Sequence, residues 1–246
     1  MALLTSPANL RPGLSILLPA YNEEPTVAAT VQELVAAAEA ACDDFEIVAV
    51  DDGSRDRTGA ILDELTSREP HLRVLHHEQN QGLGGALTTA GRSAAFDESV
   101  VAHVDNPLSA EQLRAFLQAS GPGVIVVGYR PQRLGYRAWQ RLGARVYHSL
   151  ACLLFGLRLR DVNWLHLYPT PLFSEVTIEC NTFAFLVEVL AKGRVLGCRF
   201  VEVEAPMIAR THGVATISQP RKIWGAFRDL ISLWWRMRVT GKSHPE

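Results

Sequence analysis

The period of apolar and polar positions changes repeatedly along the chain, and each change marks an element. Leu14-Ser-Ile-Leu-Leu18 is a short apolar run stopped by Pro19, the pattern of a buried strand. Pro25 to Ala41 is rich in alanine, with apolar residues at helical spacing. Glu23, Glu24 and Pro25 stand where a helix start favours acids and proline. Phe45 to Val50 reads as a second strand, ended by Asp51-Asp52-Gly53-Ser54, and Thr58 to Leu65 as a second helix. Leu72 to Leu75, Gly85 to Ala95, Val100 to Val104, Ala110 to Ala119 and Gly123 to Val127 continue the alternation. This rhythm predicts an α/β domain of mostly parallel strands, with right-handed crossover helices on both faces. Ligands of such sheets bind beyond the carboxyl ends of the strands. Four polar signals fall there: Tyr21-Asn22-Glu23, Asp51 to Ser54, Asn80 to Gly85, and Asp105-Asn106.

The second half has a different texture. From Arg130 to Leu159 basic, aromatic and apolar residues alternate. Trp139, Leu142, Val146, Ser149 and Leu150 share one helical face, and Arg137, Arg141 and Arg145 form a basic stripe beside it. Phe183 to Lys192 reads as a helix, Arg199 to Val203 as a strand, and Lys222 to Arg238 as a final helix carrying three tryptophans. Tryptophan with arginine at helical spacing suits a membrane surface, where rings sit at headgroup depth and guanidinium groups meet anionic lipid. The same pattern also suits a face against a partner helix with a solvated basic edge. The membrane surface is the preferred expectation, through Arg137, Trp139, Arg141, Trp234 and Trp235.

Composition narrows the classes. A formal net charge of -2 gives no global basic field, so nucleic acid is not an expected partner. Cys42, Cys152, Cys180 and Cys198 have no knuckle or redox spacing and read as buried free thiols, as in a reducing cytosol. The longest apolar stretches are strand-sized, well short of the roughly 20 residues needed to span a bilayer. The start of the chain lacks the basic-then-apolar pattern of a secretory signal. The expected place is cytoplasmic, peripheral at the inner face of the membrane.

The motifs also carry a resemblance. LSILLPAYNEEPTV, FEIVAVDDGSRDRT and NQGLGGAL resemble the first strand and loop, the second strand and loop, and the Asn-x-Gly-x-Gly helix start of family 2 glycosyltransferases. LRLRDVN, FLVEVLAKGRVLGCRFVEV and ARTHGVAT follow in order and resemble the dolichol-phosphate-mannose-synthase-like branch. The resemblance covers residues 13–235. It implies a GT-A-like (Rossmann-like) fold and an inverting transfer of a sugar from a nucleotide-diphosphate sugar to an acceptor, such as a polyprenyl phosphate. Residues 1–12, with two prolines and no periodicity, read as a flexible arm; the resemblance then divides the chain into a nucleotide-binding half (13–130) and an acceptor and membrane-surface half (131–235), leaving a tail (236–246). The alternative is a catalytically weakened, nucleotide-sugar-binding pseudo-transferase.

The resemblance assigns roles residue by residue. A carboxylate at a strand end can accept the imide N–H of uracil or the ring N–H of guanine. That role falls on Asp52, with Val50 beside the base, although Asp-Gly-Ser alone reads as a turn. Pro19, Tyr21 and Glu23 match the nucleotide-contacting loop, and Arg130 and Arg210 match positions near the donor phosphates. Gly82, Gly84 and Gly85 read as architecture. Asp161 or Glu188 would be the base for a hydroxyl acceptor, whereas a phosphate acceptor is already ionised and needs none. The family's Asp-x-Asp appears as His103-Val104-Asp105-Asn106-Pro107, so one carboxylate remains in either alignment. Asp105, helped by Asn106, is therefore the candidate ligand for a divalent metal, Mg²⁺ or Mn²⁺, held weakly or dispensable, and the resemblance also counts Asp105 as catalytic and both residues as contacts of the nucleotide sugar. Two cations are also replaced: the usual lysine after Arg210 is Thr216, and His166 stands where Lys or Arg is frequent.

Overall fold

The computed structural model describes residues 10–102, 108–131, 138–207 and 220–239. Seven strands form one sheet in the order β3-β2-β1-β4-β6-β5-β7. They are β1 (Arg11–Ala20), β2 (Phe45–Asp51), β3 (Leu72–His76), β4 (Phe96–Val101), β5 (Val124–Tyr129), β6 (His166–Pro169) and β7 (Arg199–Glu204). The helices are α1 (Val27–Glu39), α2 (Thr58–Thr66), α3 (Gly82–Ser93), α4 (Ala110–Ala119), α5 (Ala138–Phe155), α6 (Leu172–Glu175), α7 (Ala184–Val195) and α8 (Pro220–Val239).

The centres of β1 and β2 read as largely apolar runs because both faces of the sheet are covered, and the polar exceptions, Ser15 and Glu46, bond each other at 2.8 Å. Successive side chains enter opposite layers. Ile16, Leu18 and Ile47 pack on one side with Leu34, Leu113 and Phe116. Leu17, Val48 and Val50 pack on the other with Leu87, Phe173 and Phe185. β1 pairs parallel with β2 (Pro19 beside Val50, Ala20 beside Asp51) and with β4, so the ends of these strands form one edge. α4 starts on a capping box, in which the Ser109 hydroxyl accepts from Gln112 N and the Gln112 side chain accepts from Ser109 N.

The structure corrects several boundaries. β1 begins at Arg11, inside the stretch read as a flexible arm, and α8 runs to Val239, past residue 235. The third helix spans Gly82–Ser93 rather than Gly85 to Ala95. β4 begins at Phe96 rather than Val100, because its polar first half has partners inside the fold. Asp97 Oδ1 accepts from Gly13 N at 3.0 Å, and the Ser99 and Thr170 hydroxyls meet at 2.6 Å.

β6 was not anticipated. Four residues long, it lies antiparallel between β4 and β5, with Ser99 beside Tyr168 and Val127 beside His166. Its reversal has a positional consequence. The chain leading into β6, Asp161 to Leu165, lies at the edge where the parallel strands end, and Leu165 O accepts from Gly128 N at 2.8 Å.

Among the described residues no helix is long and apolar enough to cross a membrane. All four cysteines are free thiols, Cys180 and Cys198 buried and the other two partly so.

Candidate active site

The loops after β1 and β2 form the first wall of the carboxyl edge. They are laced together by reciprocal hydrogen bonds. Asn22 N donates to Ser54 Oγ (3.0 Å) while Arg55 N donates to Asn22 Oδ1 (2.8 Å). Glu24 N donates to Asp56 Oδ2 (3.2 Å) while Arg57 N donates to Glu24 Oε2 (3.1 Å). Asn22 takes φ 55°, a left-handed conformation that asparagine tolerates better than most residues. This scaffold leaves the Tyr21 ring exposed at the rim. Pro19 and Glu23 are half-buried beside it, and Glu23 N donates to Thr58 Oγ1 at 2.8 Å. Val50 is wholly buried behind this wall.

Asp52 is 3 % exposed, and its carboxylate faces the start of α3. Gln81 N donates to Oδ1 and Gly82 N to Oδ2, both at 2.8 Å. These two amides belong to the first turn of the helix, which an anion stabilises. His77 Nδ1 lies 2.7 Å from Oδ1, and its Nε2 lies 2.9 Å from the Thr89 hydroxyl. Asp51 points the other way, accepting from Ser54 N at 3.1 Å and meeting His76 Nδ1 at 3.2 Å. His76 reaches on to Asp63 at 2.9 Å. Burial works against its charge, but the hydrogen bonds to Asp63 and Asp51 and the charges of those carboxylates outweigh it and raise its pKa. The structure thus gives Asp52 internal partners that its sequence pattern does not reveal. A sign was present in the two histidines at the end of β3, His76 and His77.

The glycines that open α3, in the stretch Asn80 to Gly85, serve close packing. Gly82 has φ +80°, and a Cβ there would stand 2.5 Å from Asn181 Oδ1. A Cβ on Gly84 would stand 2.7 Å from Ile178 O. Gly84 N donates to Asn181 Oδ1 at 3.1 Å.

The second wall follows β5. Arg130 is paired in two-point fashion with Asp161, Nε to Oδ2 at 2.8 Å and Nη2 to Oδ1 at 3.1 Å, and both side chains are almost wholly buried. Arg130 Nη2 also donates to Asn163 O at 3.0 Å, and the guanidinium lies 4.5 Å from the Trp164 ring centroid. The arginine read as a phosphate ligand and the aspartate read as a base are therefore partners of each other. His166 is fully buried beneath them, its Nδ1 3.0 Å from the Tyr168 hydroxyl. Burial pushes its pKa down to about 4, so it does not replace the positive charge of a Lys or Arg.

Glu188 lies on α7 with no exposed surface. Its carboxylate accepts from Glu179 N at 3.1 Å, from Cys180 N at 2.8 Å and from Lys192 Nζ at 2.6 Å. Asp105, Asn106 and Arg210 lie outside the described residues, as do His103, Pro107 and Thr216. Among the described residues no group of three or more His, Cys, Asp or Glu side chains is placed to hold a metal ion.

Comparison with known proteins agrees with this architecture. The chain is similar to the glycosyltransferase AglD of Haloferax volcanii, 28% identical over 92% of this chain and 38% of the relative. It is 26% identical to the undecaprenyl-phosphate 4-deoxy-4-formamido-L-arabinose transferase of Pseudomonas aeruginosa, over 85% of this chain and 61% of that one. It thus spans less than two thirds of the length of either relative. The polyprenol monophosphomannose synthase of Mycolicibacterium smegmatis is 26% identical, over 86% of this chain and 84% of that one. In three dimensions the chain matches the glucosyl-3-phosphoglycerate synthase of Mycobacterium tuberculosis crystallised with UDP. The TM-score is 0.65 at 19% identity, covering 91% of this chain and 80% of that one. The fold is the GT-A type. The profile of Glycosyl transferase family 2 matches residues 15–151, more than half of the sequence, and the chain belongs to that family.

Proposed function

We propose that the protein transfers a sugar from a nucleotide-diphosphate sugar to a polyprenyl phosphate, by a single inverting displacement at the carboxyl edge of the sheet. Among the described residues, the observation that carries the choice of acceptor is the state of the two carboxylates considered as bases. Glu188 is sealed in the interior, and Asp161 is tied to Arg130. A hydroxyl acceptor needs a base within hydrogen-bond reach. A phosphate oxygen is already anionic near neutral pH and attacks the anomeric carbon without one. The bond from that carbon to the leaving diphosphate breaks as the new bond forms, inverting the centre. Relatives named for undecaprenyl-phosphate and polyprenol acceptors support the same reading.

In this account Tyr21 stacks on the nucleoside, Pro19 and Glu23 shape its cleft, and Val50 backs that wall from the core. Asp52 contributes mainly by fixing the start of α3 and offers any remaining lone pair to the base. Arg130, fixed by Asp161 in the wall of the site, places its positive charge near the donor phosphates, while Arg210 supplies a second cation. A divalent metal at Asp105 would neutralise charge on the leaving diphosphate. The structures of the glucosyl-3-phosphoglycerate synthase with Mn²⁺ or Mg²⁺ and UDP are consistent with metal use in this fold.

The site would work at a lipid surface. α5 exposes Trp139, Leu142, Val146 and Leu153 on one stripe, flanked by Arg141 and Arg145. α8 exposes Trp224, Ile231 and Trp235 with Arg228 and Arg238, and the two helices meet where Tyr147 packs edge-on against Phe227. Among the described residues these stripes carry aromatic rings and arginines and no exposed acid, which suits anionic headgroups. Trp234, expected at this surface, instead lies half-buried against the core with Arg238 over its ring. Arg137 lies outside the described residues.

The test is a transfer assay with UDP-, GDP- and dTDP-sugars and a polyprenyl phosphate in detergent, with and without Mn²⁺. Lipid-linked sugar formed from one donor supports the reading. Donor binding without transfer under any condition would instead establish the pseudo-transferase.

A further inference from the structure

We propose that the segment Thr177 to Thr182 is a strut through which the position of α8 sets the order of the first turn of α3, and so of the donor edge. The inference rests on the reading of that edge as the donor site and of α8 as the lipid-facing helix. It names a form of regulation: contact with an anionic membrane tightens the donor site.

The strut is fastened at both ends and braced in the middle. On the α8 side, Thr182 Oγ1 donates to Asp229 Oδ2 at 2.9 Å, and Arg236 Nε lies 3.6 Å from Glu179 Oε2. On the α3 side, Asn181 Oδ1 accepts from Gly84 N, and the bare Cα of Gly82 is what lets the Asn181 amide fit there. The backbone carbonyls of Ile178 and Cys180 close on Gly84 in the same way. In the middle, Glu188 receives the amides of Glu179 and Cys180, and Lys192 Nζ donates to Thr177 O at 2.6 Å.

This bracing gives the segment its mechanical character. An exposed loop held at one point absorbs a displacement by local rearrangement. A segment held by a buried carboxylate and a buried ammonium moves as a body, because freeing either charge inside the fold is costly. A shift of α8 is therefore passed to Asn181, and Asn181 holds an amide of the same helical turn in which Asp52 holds two more, Gln81 N and Gly82 N. Coupling of this kind travels through contiguous hydrogen-bonded and packed groups. By linkage, a donor that orders the α3 start would in turn strengthen membrane contact.

The test is amide exchange of residues 78–87 by mass spectrometry, read alongside flotation on vesicles of phosphatidylcholine and phosphatidylglycerol. No sugar donor is needed. Vesicle-bound wild type should exchange these amides about threefold more slowly than free protein. Asn181→Ala should float equally well and lose that difference. Flotation with unchanged exchange would overturn the coupling while leaving the membrane reading intact. If the protein does not float, the membrane reading fails, and the strut is judged on Asp229→Ala alone. This variant alters only α8, yet it should speed exchange in 78–87 by about threefold at unchanged helix content. Unchanged exchange in a folded Asp229→Ala protein would overturn the strut.

Discussion

Arg130 and Asp161 meet in a two-point contact, Nε to Oδ2 at 2.8 Å and Nη2 to Oδ1 at 3.1 Å, with almost no exposure of either side chain. The pair joins the end of β5 to the segment that leads into the reversed strand β6, and so builds one wall of the site. Removing one member leaves a buried charge without its partner. Arg130→Ala should therefore cost about 3–5 kcal/mol of stability. Arg130→Lys should recover only part of this, since an ammonium cannot match a carboxylate at two points. Urea denaturation checks both, and a loss within about 0.5 kcal/mol for Arg130→Ala would show that the pair is not structural.

Asp52→Asn is the corresponding test at the other wall. The amide can present only one oxygen, and its NH₂ would face a backbone N–H of Gln81 or Gly82. We expect a loss of about 1.5–3 kcal/mol, the range for a hydrogen bond to a charged group. Thermal melting of the ligand-free protein reads it directly. Unchanged stability with lost donor binding would instead show that the carboxylate serves the nucleotide alone.

Glu98 gives a pH dependence far from the site. It is buried on β4 next to Asp97, and its Oε2 has no hydrogen-bond partner among the described residues. Burial, followed by the Asp97 charge, pushes its pKa up to about 8. The folded protein thus keeps a proton that the unfolded chain releases above its ordinary value of 4.5. Stability from this group is fully present below that value and is lost as pH rises through about 8. Glu98→Gln should flatten this fall. It should stabilise the protein at pH 8 by roughly 3 kcal/mol, since each tenfold difference in proton affinity is worth about 1.4 kcal/mol and partial solvent access trims the sum. Denaturation at pH 5 and pH 8 checks it, and equal slopes for the two proteins would contradict it.

Vesicle flotation tests whether the exposed stripes of α5 and α8 meet lipid. Recovery should rise with anionic lipid and fall with salt, because exposed charges are screened within about 10 Å at 0.1 M. Trp224 and Trp235 are 75% and 61% exposed, so replacing both with Ser should weaken flotation without unfolding the protein. Flotation unaffected by that double change would place the membrane contact elsewhere.

Much of this architecture was legible because both faces of the central strands are covered. Leu14 to Leu18 and Phe45 to Val50 had to be largely apolar, Ser15 and Glu46 answering each other across the strands, and their ends had to be polar. What stayed hidden depends on contacts distant in sequence. The polar start of β4 pairs with Gly13 and Thr170, and four-residue β6 has no periodicity to detect. In the site, motif matching named Asp52, Arg130, Asp161 and Glu188 but could not show their partners. Only folding brings Gln81 to Asp52, Asp161 to Arg130, and the loop at Glu179 to Glu188. Asn181 was missed altogether, since a lone asparagine before a helix gives no hint that it holds an amide of α3.

The most direct test of the account is titration calorimetry of the nucleotide-diphosphate sugars against the wild type and Tyr21→Ala. Tyr21 is exposed at the rim and its loss leaves the scaffold beneath it intact, so the variant isolates the donor edge from stability. Saturable binding of one donor by the wild type is expected, with a loss of about 1–2 kcal/mol, roughly five- to thirtyfold, in the variant, the scale of an aromatic stacking contact. Absence of binding by every donor, or equal affinity of the two proteins, would contradict it.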